Sequence, residues 1–492
     1  MISIRQLLPD YPLQLPQLEI SGLKSDSRQV APGDAFVAVP GYQTDGRDYI
    51  DAAILAGAKV IFSASDSYGV AERGTAWVIE VPQLKDDLSQ LAARFYGEPA
   101  RRAKIIGVTG TNGKTSVTYL IAQLLETLGV RAGVIGTTGS GFPGMLLPEQ
   151  HTTPDAITVQ QRLATLVAEG AGVVAMEVSS HALVQRRVEA IQFAVGAATN
   201  ISRDHLDYHG TMANYAGAKR RLFTELDTRH SVLNVDDAAL SAWLPDRSDS
   251  WRVSLSPQQH EKALWASDLE FNDQGTAFTI NYGGKQVQVR SALLGRFNVY
   301  NLLVAIASVV ALGYELPAVA AAAERLHAVP GRMEAFGGSA GQPLVIVDYA
   351  HTPDALQQVL EALRPHCRGK LWCLFGCGGD RDRGKRPQMG GVAAKLADQV
   401  VVTDDNPRTE EPQQIVQDIL AGMPVRDHVR VVEGRHEAVL ATIGKAGADD
   451  IVLLAGKGHE DYQVVGQKRL PYDERQVVAD WFAQHQNRGV RS

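Results

Sequence analysis

The sequence predicts an α/β protein of three domains, and three observations support this fold class. Apolar, strand-like runs alternate with helix-length stretches along most of the chain, which is the pattern of βαβ units. A chain of 492 residues is too long for a single hydrophobic core. Glycine- and proline-containing breaks at 97–99 and 329–332 divide it into predicted domains over 1–98, 99–330 and 331–492.

The strand-like runs follow in order through the three domains. In the smaller N-terminal α/β domain, AFVAVP, KVIFSA and AWVIEV predict strands, with a helix over 51–57. In the central domain, KIIGVTG, RAGVIGTT, VVAMEVSS and FAVGAATNI predict a mostly parallel, P-loop-type sheet with helices. TAFTINY and KQVQVR alternate in polarity and predict a small antiparallel excursion before a helix over 300–312. In the C-terminal domain, LVIVDYA, KLWCLFGCGG, QVVVTDD and DIVLLAGKG predict a second, Rossmann-like parallel sheet.

Composition narrows the class of protein. A formal net charge of -7 argues against general nucleic-acid binding, which needs a basic face. The N-terminus lacks a basic segment followed by an apolar run, and no window approaches 18 uninterrupted apolar residues. Three clustered cysteines, Cys367, Cys373 and Cys377, indicate reduced thiols rather than a disulfide. We therefore expect a soluble, cytoplasmic protein with neither a nucleic acid nor a membrane as partner. We also expect a monomer, although composition does not determine the oligomeric state.

A glycine-rich segment, GVTGTNGKTS, lies between a predicted strand and a predicted helix. Glycines let backbone N–H groups face phosphate oxygens, and the helix N-terminus adds its dipole. Lys114 would reach the β- and γ-phosphates of a nucleotide, and Thr115 would bind Mg²⁺. The usual P-loop pattern has glycine where this chain has Val108, so only a shorter G-x-x-G-K-T variant is present. The alternative is a glycine turn that caps a helix beside a surface lysine.

Two polar residues follow apolar strands of the same predicted sheet. Glu177 ends the strand in VVAMEVSSH, and His205 lies in NISRDHLDYHG after the next strand. Ligands of α/β sheets collect at the carboxyl ends of strands, so both are candidate Mg²⁺ contacts. Histidine is an unusual ligand for so hard a cation, and either residue alone would ordinarily be a solvated or structural group.

Ten segments, in this order, resemble the Mur ligase family: GTNGKTS, EVSSHAL, NISRDHLDYHG, YAGAKRRLF, LLGRFNVYN, VPGRME, DYAHTPD, GCGGDRDRGKRP, TDDNPR and AGKGHE. The resemblance runs from about residue 25 to 474. It implies that ATP phosphorylates a carboxylate and that an amine attacks the acyl phosphate. The implied substrates are UDP-N-acetylmuramoyl-L-alanyl-D-glutamate and meso-diaminopimelate, in peptidoglycan precursor synthesis. Bringing several anions together requires Mg²⁺ and lysine to neutralise charge.

The resemblance also implies roles for individual residues. The expected catalytic residues are Lys114, Glu177, His205 and Lys219, and the expected Mg²⁺ contacts are Thr115, Glu177, His205 and Lys219. Lys219 matches the family's carbamylated lysine, whereas the residues alone predict an exposed helix lysine. The expected nucleotide contacts are Gly110, Thr111, Asn112, Gly113, Lys114, Thr115, Ser116, Asn298, Asn301, Arg332, Asp348 and His351.

Three groups of residues match the family's substrate contacts. The expected uridine diphosphate contacts are Ser25, Ser27, Tyr42, Gln43 and Thr44. The expected muramoyl-peptide contacts are His151, Thr152, Thr153, Ser179, Gln185 and Arg187. The expected amino-acid contacts are Arg381, Asp405, Asn406, Pro407, Arg408, Gly456 and Glu460. His151 stands where the family pattern leads us to expect asparagine, which puts that contact in doubt.

Arg408 is the residue most informative about the acceptor. Meso-diaminopimelate differs from lysine by a second carboxylate, which a guanidinium binds with two charge-assisted hydrogen bonds. Glu460 would pair with the distal ammonium. The alternative is that Asn-Pro-Arg is simply a turn. Three other functions remain open: a lysine-adding ligase, which Arg408 opposes; a folylpolyglutamate-forming ligase, which the long N-terminal domain opposes; and a P-loop NTPase switch or binding module.

Overall fold

The computed structural model describes residues 1–41, 44–244, 249–338, 341–424 and 427–485. The chain forms two compact units, the first from Met1–Trp251 with Ala311–Gly313 and the second from Arg252–Val310 with Tyr314–Ser492. Both units are built from mostly parallel sheets and packed helices, which confirms the predicted α/β class. The three domain boundaries stay a prediction.

Short strands and helices alternate through the first unit. Its strands are β1 (Ile2–Ser3), β2 (Glu19–Ile20), β3 (Leu23–Lys24), β4 (Ala35–Ala38), β5 (Val60–Ala64), β6 (Gly69–Arg73), β7 (Ala76–Val81), β8 (Lys104–Thr109), β9 (Ala132–Gly136), β10 (Gly139–Phe142), β11 (Met145–Leu147), β12 (Val173–Glu177), β13 (Phe193–Ala198) and β14 (Thr228–Asn234). Its helices are α1 (Ile4–Leu7), α2 (Ile50–Leu55), α3 (Leu84–Phe95), α4 (Lys114–Thr127), α5 (Ala156–Ala168), α6 (Ser180–Val184), α7 (Leu206–His209), α8 (Met212–Thr224) and α9 (Ala238–Ser241).

The elements from residue 251 onward belong to the second unit, apart from the end residues Trp251 and Ala311. The strands are β15 (Trp251–Ser254), β16 (Ala263–Asn272), β17 (Gly275–Tyr282), β18 (Lys285–Ser291), β19 (Glu334–Gly337), β20 (Leu344–Asp348), β21 (Leu371–Phe375), β22 (Gln399–Val402), β23 (Val429–Val431), β24 (Ile451–Ala455), β25 (Tyr462–Val465) and β26 (Lys468–Pro471). The helices are α10 (Arg296–Ala311), α11 (Leu316–Ala323), α12 (Pro353–Leu363), α13 (Lys385–Leu396), α14 (Pro412–Leu420), α15 (Arg435–Ile443) and α16 (Glu474–His485).

The larger sheet of the first unit has the strand order β11-β10-β9-β12-β8-β13-β14. Strands β9, β12, β8, β13 and β14 pair in parallel, and the β10–β11 hairpin continues the sheet antiparallel at one edge. β12 is buried along its whole length, as expected of a strand covered on both faces. Because parallel strands end on the same edge, the segments that follow β8, β12 and β13 lie side by side.

The N-terminal part of the first unit has its own sheet, in the order β3-β4-β5-β7-β6. Strands β3, β4, β5 and β7 pair in parallel, and β6 pairs antiparallel with β7. Its core includes Phe62, Ile79 and Leu91, all buried. The sequence predicted β4, β5 and β7 correctly, and these three form the centre of the sheet.

The second unit carries a six-stranded sheet in the order β19-β20-β24-β21-β22-β23. All neighbours are parallel except β19, which pairs antiparallel with β20 at one edge. The strands β16, β17 and β18 form the predicted antiparallel excursion. Helix α10 begins at Arg296, earlier than the predicted 300, because polar residues of its first turn obscure the apolar pattern. Within the described ranges no helix has the length and apolar character needed to cross a membrane.

Candidate active site

The loop between β8 and α4 is held in place by the residues that follow β13. Thr111 N donates to Asn200 O (2.8 Å), and Asn112 N donates to Asn200 Oδ1 (3.0 Å). Thr199 Oγ1 donates to Asn112 O at 2.6 Å. Gly110 has a φ of 140°, and a Cβ there would overlap the Thr199 hydroxyl, so only glycine allows this close approach. The loop is therefore shaped by a neighbouring strand end as well as by its own glycines.

Helix α4 starts directly after this loop. Gly113 precedes it with a φ of 86°, and the first hydrogen bond of the helix is donated by Val117 N to Gly113 O (2.9 Å). The amides of the three preceding helical residues have no acceptor inside the helix, so their N–H groups favour an anion. These residues are Lys114, Thr115 and Ser116, three of the predicted nucleotide contacts. The predicted contacts Thr111 and Asn112 already use their amides to fix the loop.

Two lysines converge on a single carbonyl of this loop. Lys114 Nζ donates to Gly110 O (3.0 Å) and Thr111 O (2.8 Å), and Lys219 Nζ donates to Gly110 O (2.8 Å). Lys219 lies on α8 and is only 1% exposed. The exposed helix lysine predicted from the residues alone is therefore wrong, since α8 packs this face against the loop. Burial, and then the neighbouring Lys114, lower the pKa of Lys219 to about 6. Its amine is consequently neutral for the most part at neutral pH.

Glu177 ends β12 next to this loop, in register with Val108 of β8. Its Oε1 accepts from Thr137 N (2.8 Å) and its Oε2 from Thr137 Oγ1 (3.3 Å). Burial raises the pKa of Glu177, while Lys114, Thr137 and Thr115 act in the opposite direction. The carboxylate thus lies close to the Thr115 hydroxyl and to the Lys114 charge. Thr137 was not predicted as a site residue. Its position directly after β9, at the same edge of the sheet as Glu177, could have indicated this contact.

His205 lies beyond the end of β13, in a cluster of aromatic rings. It has a φ of 51°, an uncommon conformation for a residue other than glycine, and its ring centroid is 4.9 Å from that of His181. Tyr215 connects His205 with the loop: the two ring centroids are 6.2 Å apart, and Tyr215 Oη is 3.1 Å from Thr111 Oγ1. Lys219 Nζ lies 4.7 Å from the Tyr215 ring centroid. Two predicted catalytic residues, His205 and Lys219, are therefore joined through Tyr215.

The donor set at this edge fits a small divalent cation. The Glu177 carboxylate and the Thr115 hydroxyl are hydrogen-bonded neighbours, and oxygen ligands of this kind suit Mg²⁺. Among the described residues no group of three or more His, Cys, Asp and Glu side chains converges as a metal site. The predicted set contains only two side chains of those types, and Mg²⁺ usually keeps several waters and substrate oxygens as ligands.

The predicted muramoyl-peptide contacts form a hydrogen-bonded network beside Glu177. Thr153 Oγ1 donates to Glu177 O (2.7 Å) and accepts from Ser179 N (3.0 Å). Arg187 Nη1 donates to Thr153 O (2.6 Å), and Arg187 Nη2 donates to Gln185 Oε1 (2.6 Å). Thr153 is buried, so its hydroxyl aligns the strand end of Glu177 with the start of α6. Arg187 and Gln185 are partly exposed beside it.

The other predicted contacts of the first unit differ in exposure. Thr152 Oγ1 lies 3.0 Å from Thr137 Oγ1, which links it to the Glu177 site, whereas His151 is exposed. Ser25 and Thr44 are exposed, and Ser27 begins a short 3₁₀ turn that Asp26 caps. The predicted contacts Tyr42 and Gln43 lie outside the described residues.

In the second unit, the predicted nucleotide contacts lie in two places. Asn298 Nδ2 donates to Leu294 O (2.8 Å), and Asn301 Nδ2 donates to Asn298 Oδ1 (3.0 Å), so both amides stabilise the start of α10.

The other three contacts lie at the end of β20. The Asp348 carboxylate accepts from Met333 N and Ala350 N (both 2.8 Å). The Arg332 guanidinium lies 4.7 Å from the Tyr349 ring centroid. His351 is exposed, and its Nδ1 is 2.8 Å from Tyr349 O. Arg332, Asp348 and His351 are thereby brought together around one strand end.

The predicted amino-acid contacts assemble around the segment after β22. Asn406 Nδ2 donates to Glu460 Oε2 (3.2 Å), which joins this segment to the one after β24. Arg408 has a φ of 52°, and its Nη1 donates to Gly379 O (2.7 Å). Its backbone is fixed by the β25–β26 hairpin, since Arg408 N donates to Val464 O (3.0 Å). The two interpretations of Arg408, as part of a turn and as a residue of the amino-acid pocket, are therefore compatible. The turn directs the guanidinium toward the loop after β21.

The remaining predicted contacts surround that turn. Arg381 is exposed on the loop after β21, and Pro407 is buried under it. Gly456 N donates to Asp348 O (3.0 Å), so the segment after β24 is tied to the end of β20. Asp405 is largely buried, and its carboxylate lies 3.1 Å from Lys457 Nζ. Sequence analysis missed Lys457, although it stands between two of the glycines in AGKGHE.

Comparisons with known proteins identify the class of protein that this fold and site define. The Mur ligase middle domain matches residues 108–309, the Mur ligase glutamate ligase domain matches 331–458, and the catalytic domain of the Mur ligase family matches 19–96. The chain therefore belongs to the Mur ligase family, as its motifs predicted, and is a ligase.

Three individual relatives show how similar the chain is to particular Mur ligases. The chain is 48% identical over 470 residues to UDP-N-acetylmuramoyl-L-alanyl-D-glutamate--2,6-diaminopimelate ligase of Vibrio vulnificus, covering 94% of each chain. It resembles a solved structure of a ligase with the same name at 36% identity and a TM-score of 0.75, covering 98% of this chain and 99% of that one. A UDP-N-acetylmuramoylalanyl-D-glutamyl-2,6-diaminopimelate--D-alanyl-D-alanyl ligase of Acinetobacter baumannii matches at 18% identity, 98% coverage of each chain and a TM-score of 0.65, a likeness of fold alone.

Proposed function

We propose that this chain is an ATP-dependent ligase that adds meso-diaminopimelate to the D-glutamate of UDP-N-acetylmuramoyl-L-alanyl-D-glutamate. The observation that carries the proposal is the 48% identity, over 94% of both chains, with a relative of that name. The reaction would make a peptidoglycan precursor from soluble nucleotide substrates, which suits a cytoplasmic monomer. We further propose that 1–98 binds the uridine diphosphate, 99–330 binds ATP and 331–492 binds the amino acid.

The chemistry of the first step explains the phosphate-binding residues. A carboxylate is a poor electrophile, and transfer of the γ-phosphoryl group to it supplies a leaving group for the amide-forming step. The helix α4 amides and Lys114 neutralise the transferred group, because phosphoryl transfer depends mainly on positioning and charge stabilisation. When bound, Mg²⁺ would add positive charge at the phosphate oxygens, held by Thr115, Glu177, His205 and a carbamylated Lys219.

The burial of Lys219 supports its carbamylation. Only a neutral amine attacks CO₂, and the lowered pKa of about 6 gives Lys219 that form at neutral pH. The product is an anion, which the adjacent Lys114 would stabilise: both Nζ atoms donate to Gly110 O. The modification therefore converts a buried neutral amine into an anion that pairs with Lys114 beside the phosphates.

In the second step the acceptor amine attacks the acyl phosphate, and phosphate leaves. The acidic side chains Asp405 and Glu460 suit ammonium groups of the acceptor, and Arg408 suits its distal carboxylate. Lysine lacks that carboxylate and would leave the guanidinium without its bidentate partner.

The test uses purified protein with ATP, Mg²⁺ and UDP-N-acetylmuramoyl-L-alanyl-D-glutamate, and compares meso-diaminopimelate with L-lysine by phosphate release and product mass. We expect phosphate release that depends on diaminopimelate and is weak with lysine. Equal use of lysine would contradict the role of Arg408 while keeping the ligase class. Phosphate release that ignores both acceptors would favour a P-loop NTPase switch instead.

A further inference from the structure

Lys457 is a fully buried lysine in the segment after β24. Its side chain is 0% exposed, and its Nζ is surrounded by four oxygen atoms. Nζ donates to Asn406 Oδ1 (2.7 Å), to Tyr462 O (2.9 Å) and to Glu460 Oε2 (3.3 Å), and it lies 3.1 Å from Asp405 Oδ1. Burying an ammonium group costs free energy unless the group is paired and hydrogen-bonded, so these contacts are what stabilise Lys457 in the interior.

The partners of Lys457 come from the segments that form the predicted amino-acid pocket. Asp405 and Asn406 follow β22, Glu460 follows β24, and Tyr462 begins the β25–β26 hairpin. The same hairpin fixes the turn that carries Arg408, because Gly466 N donates to Arg408 O (2.7 Å). Lys457 therefore connects the three segments on which the pocket depends.

Lys457 also determines which way the Asn406 amide faces. An ammonium group can only donate, so Asn406 must present its oxygen to Lys457 Nζ. Val464 N donates to the same oxygen at 2.9 Å, which reinforces this orientation. The amide nitrogen then points to Glu460 and offers two hydrogens, one of which Glu460 Oε2 accepts at 3.2 Å. Asn406 is thereby held as a hydrogen-bond donor toward the pocket.

The charge balance follows from the same contacts. One lysine between two acidic side chains, Asp405 and Glu460, leaves one acidic side chain in excess. An excess of one negative charge attracts an ammonium group, whereas two adjacent acidic groups without Lys457 would repel each other. We infer that Lys457 is a positioning residue for the acceptor pocket, which orients Asn406 and sets the charge that receives the amino acid. This inference rests on the proposed function.

The first experiment compares the wild type with Lys457→Met in two assays. The full reaction gives kcat and KM for meso-diaminopimelate at saturating ATP and UDP-linked dipeptide. The partial reaction, label exchange between ADP and ATP without any amino acid, reports acyl-phosphate formation. Removing one partner of a buried charge pair weakens binding strongly, so we expect KM for diaminopimelate to rise about 100-fold. The loss in kcat/KM should exceed the loss in exchange by about 30-fold or more.

Arg435→Met is the matched control, because it also removes a buried cation from the second unit, at the start of α15. Arg435 is 1% exposed and pairs with Glu474, and it donates to the backbone oxygens of Asp404 and Ala455 rather than to the side chains of Asp405, Asn406 or Glu460. It should lower thermal stability and reduce both assays in parallel, with KM for diaminopimelate unchanged. Lys457→Gln, which keeps a donor but no charge, provides a milder variant if Lys457→Met does not fold.

The outcomes separate this inference from the proposed function. If the folded Lys457 variants keep the wild-type KM for diaminopimelate, or lose both assays in parallel as Arg435→Met does, Lys457 is only structural. If the wild type itself makes no product with diaminopimelate, the proposed function fails before any variant is compared.

Discussion

The loop after β8 in the first unit and the segment after β22 in the second unit both follow a buried parallel strand, yet their polar side chains are held differently. In the first, Lys114 and Lys219 donate to backbone carbonyls of a glycine loop. In the second, Asn406 and Lys457 are hydrogen-bonded to side chains of two segments and to the backbone of a third, the β25–β26 hairpin. The first arrangement leaves the charge of Lys114 to be neutralised by a ligand, whereas the second is partly neutralised and keeps one acidic side chain in excess.

Under the proposed function, this difference corresponds to two kinds of ligand. A phosphate chain carries several closely spaced negative charges, so a lysine such as Lys114 and a helix N-terminus suit it without a closely shaped pocket. An amino acid with two ammonium and two carboxylate groups must be read at several points, which requires fixed donors and acceptors. Changes in the first region should therefore affect catalysis for any acceptor, and changes in the second should affect the choice of acceptor.

The largest effect is expected from Lys114→Met. Losing this cation beside the transferred phosphoryl group should reduce kcat about 10³-fold with any acceptor, because charge stabilisation dominates such steps. Steady-state phosphate release with diaminopimelate gives the rate. Lys104→Met, which removes an exposed lysine at the start of the same β8, serves as the control and should keep wild-type activity. A loss below tenfold would show that the loop does not bind the reacting phosphates.

Arg408→Met tests the second of the two regions, the segment after β22. It should lower kcat/KM for diaminopimelate about 100-fold and leave the weak activity with lysine almost unchanged, because only diaminopimelate has the distal carboxylate. Competition between the two acceptors, followed by product mass, measures the change in preference. Arg430→Met removes an exposed arginine of β23 in the same sheet and should leave the preference as in the wild type. If kcat/KM falls equally for both acceptors, Arg408 only stabilises the turn.

The two regions also differ in how far the sequence predicted them. The phosphate loop is one continuous motif between a strand and a helix, so local pattern was enough to locate Lys114 and Thr115. The burial of Lys219 depends on how α8 packs against a loop more than 100 residues earlier, and an Ala- and Arg-containing helix gives no local sign of it. The resemblance supplied Lys219, but physical reasoning from its neighbours predicted exposure.

The acceptor region could be predicted only in part for a similar reason. Asp405 and Arg408 lie at a recognisable strand end, whereas their supports come from the β25–β26 hairpin, whose short polar strands have no clear hydrophobic alternation. The buried parallel strands of both units were predicted because they are continuous apolar runs. The edge hairpin β10–β11 was missed because its three glycine and serine residues weaken the strand pattern.

Gly136→Ala sharpens the comparison within the first region by moving Glu177 without changing its charge. A Cβ at Gly136 would overlap Glu177 Oε1, so the carboxylate must shift away from its Thr137 donors. A small misplacement of a catalytic group is costly, and we expect kcat to fall about tenfold with both acceptors. Gly172→Ala, whose Cβ would lie 3.7 Å from a Val130 methyl group, should be silent. An unchanged kcat would mean that the position of Glu177 is not critical.

The smallest effect concerns the carbamylation of Lys219. With a pKa of about 6, its amine is half neutral at pH 6 and almost fully neutral at pH 8. The neutral amine attacks CO₂ and a proton is released, so the initial rate of carbamate formation at constant dissolved CO₂ should rise only about twofold across this range. An ordinary exposed lysine would gain about 100-fold in neutral amine over the same range. Carbon-13 NMR measures the initial rate at which the carbamate signal grows after labelled CO₂ is added, and Lys219→Met identifies that signal by its loss. A steep rise with pH would show that Lys219 keeps its proton beside Lys114, and the proposed anion at the metal site would then have to come from another residue.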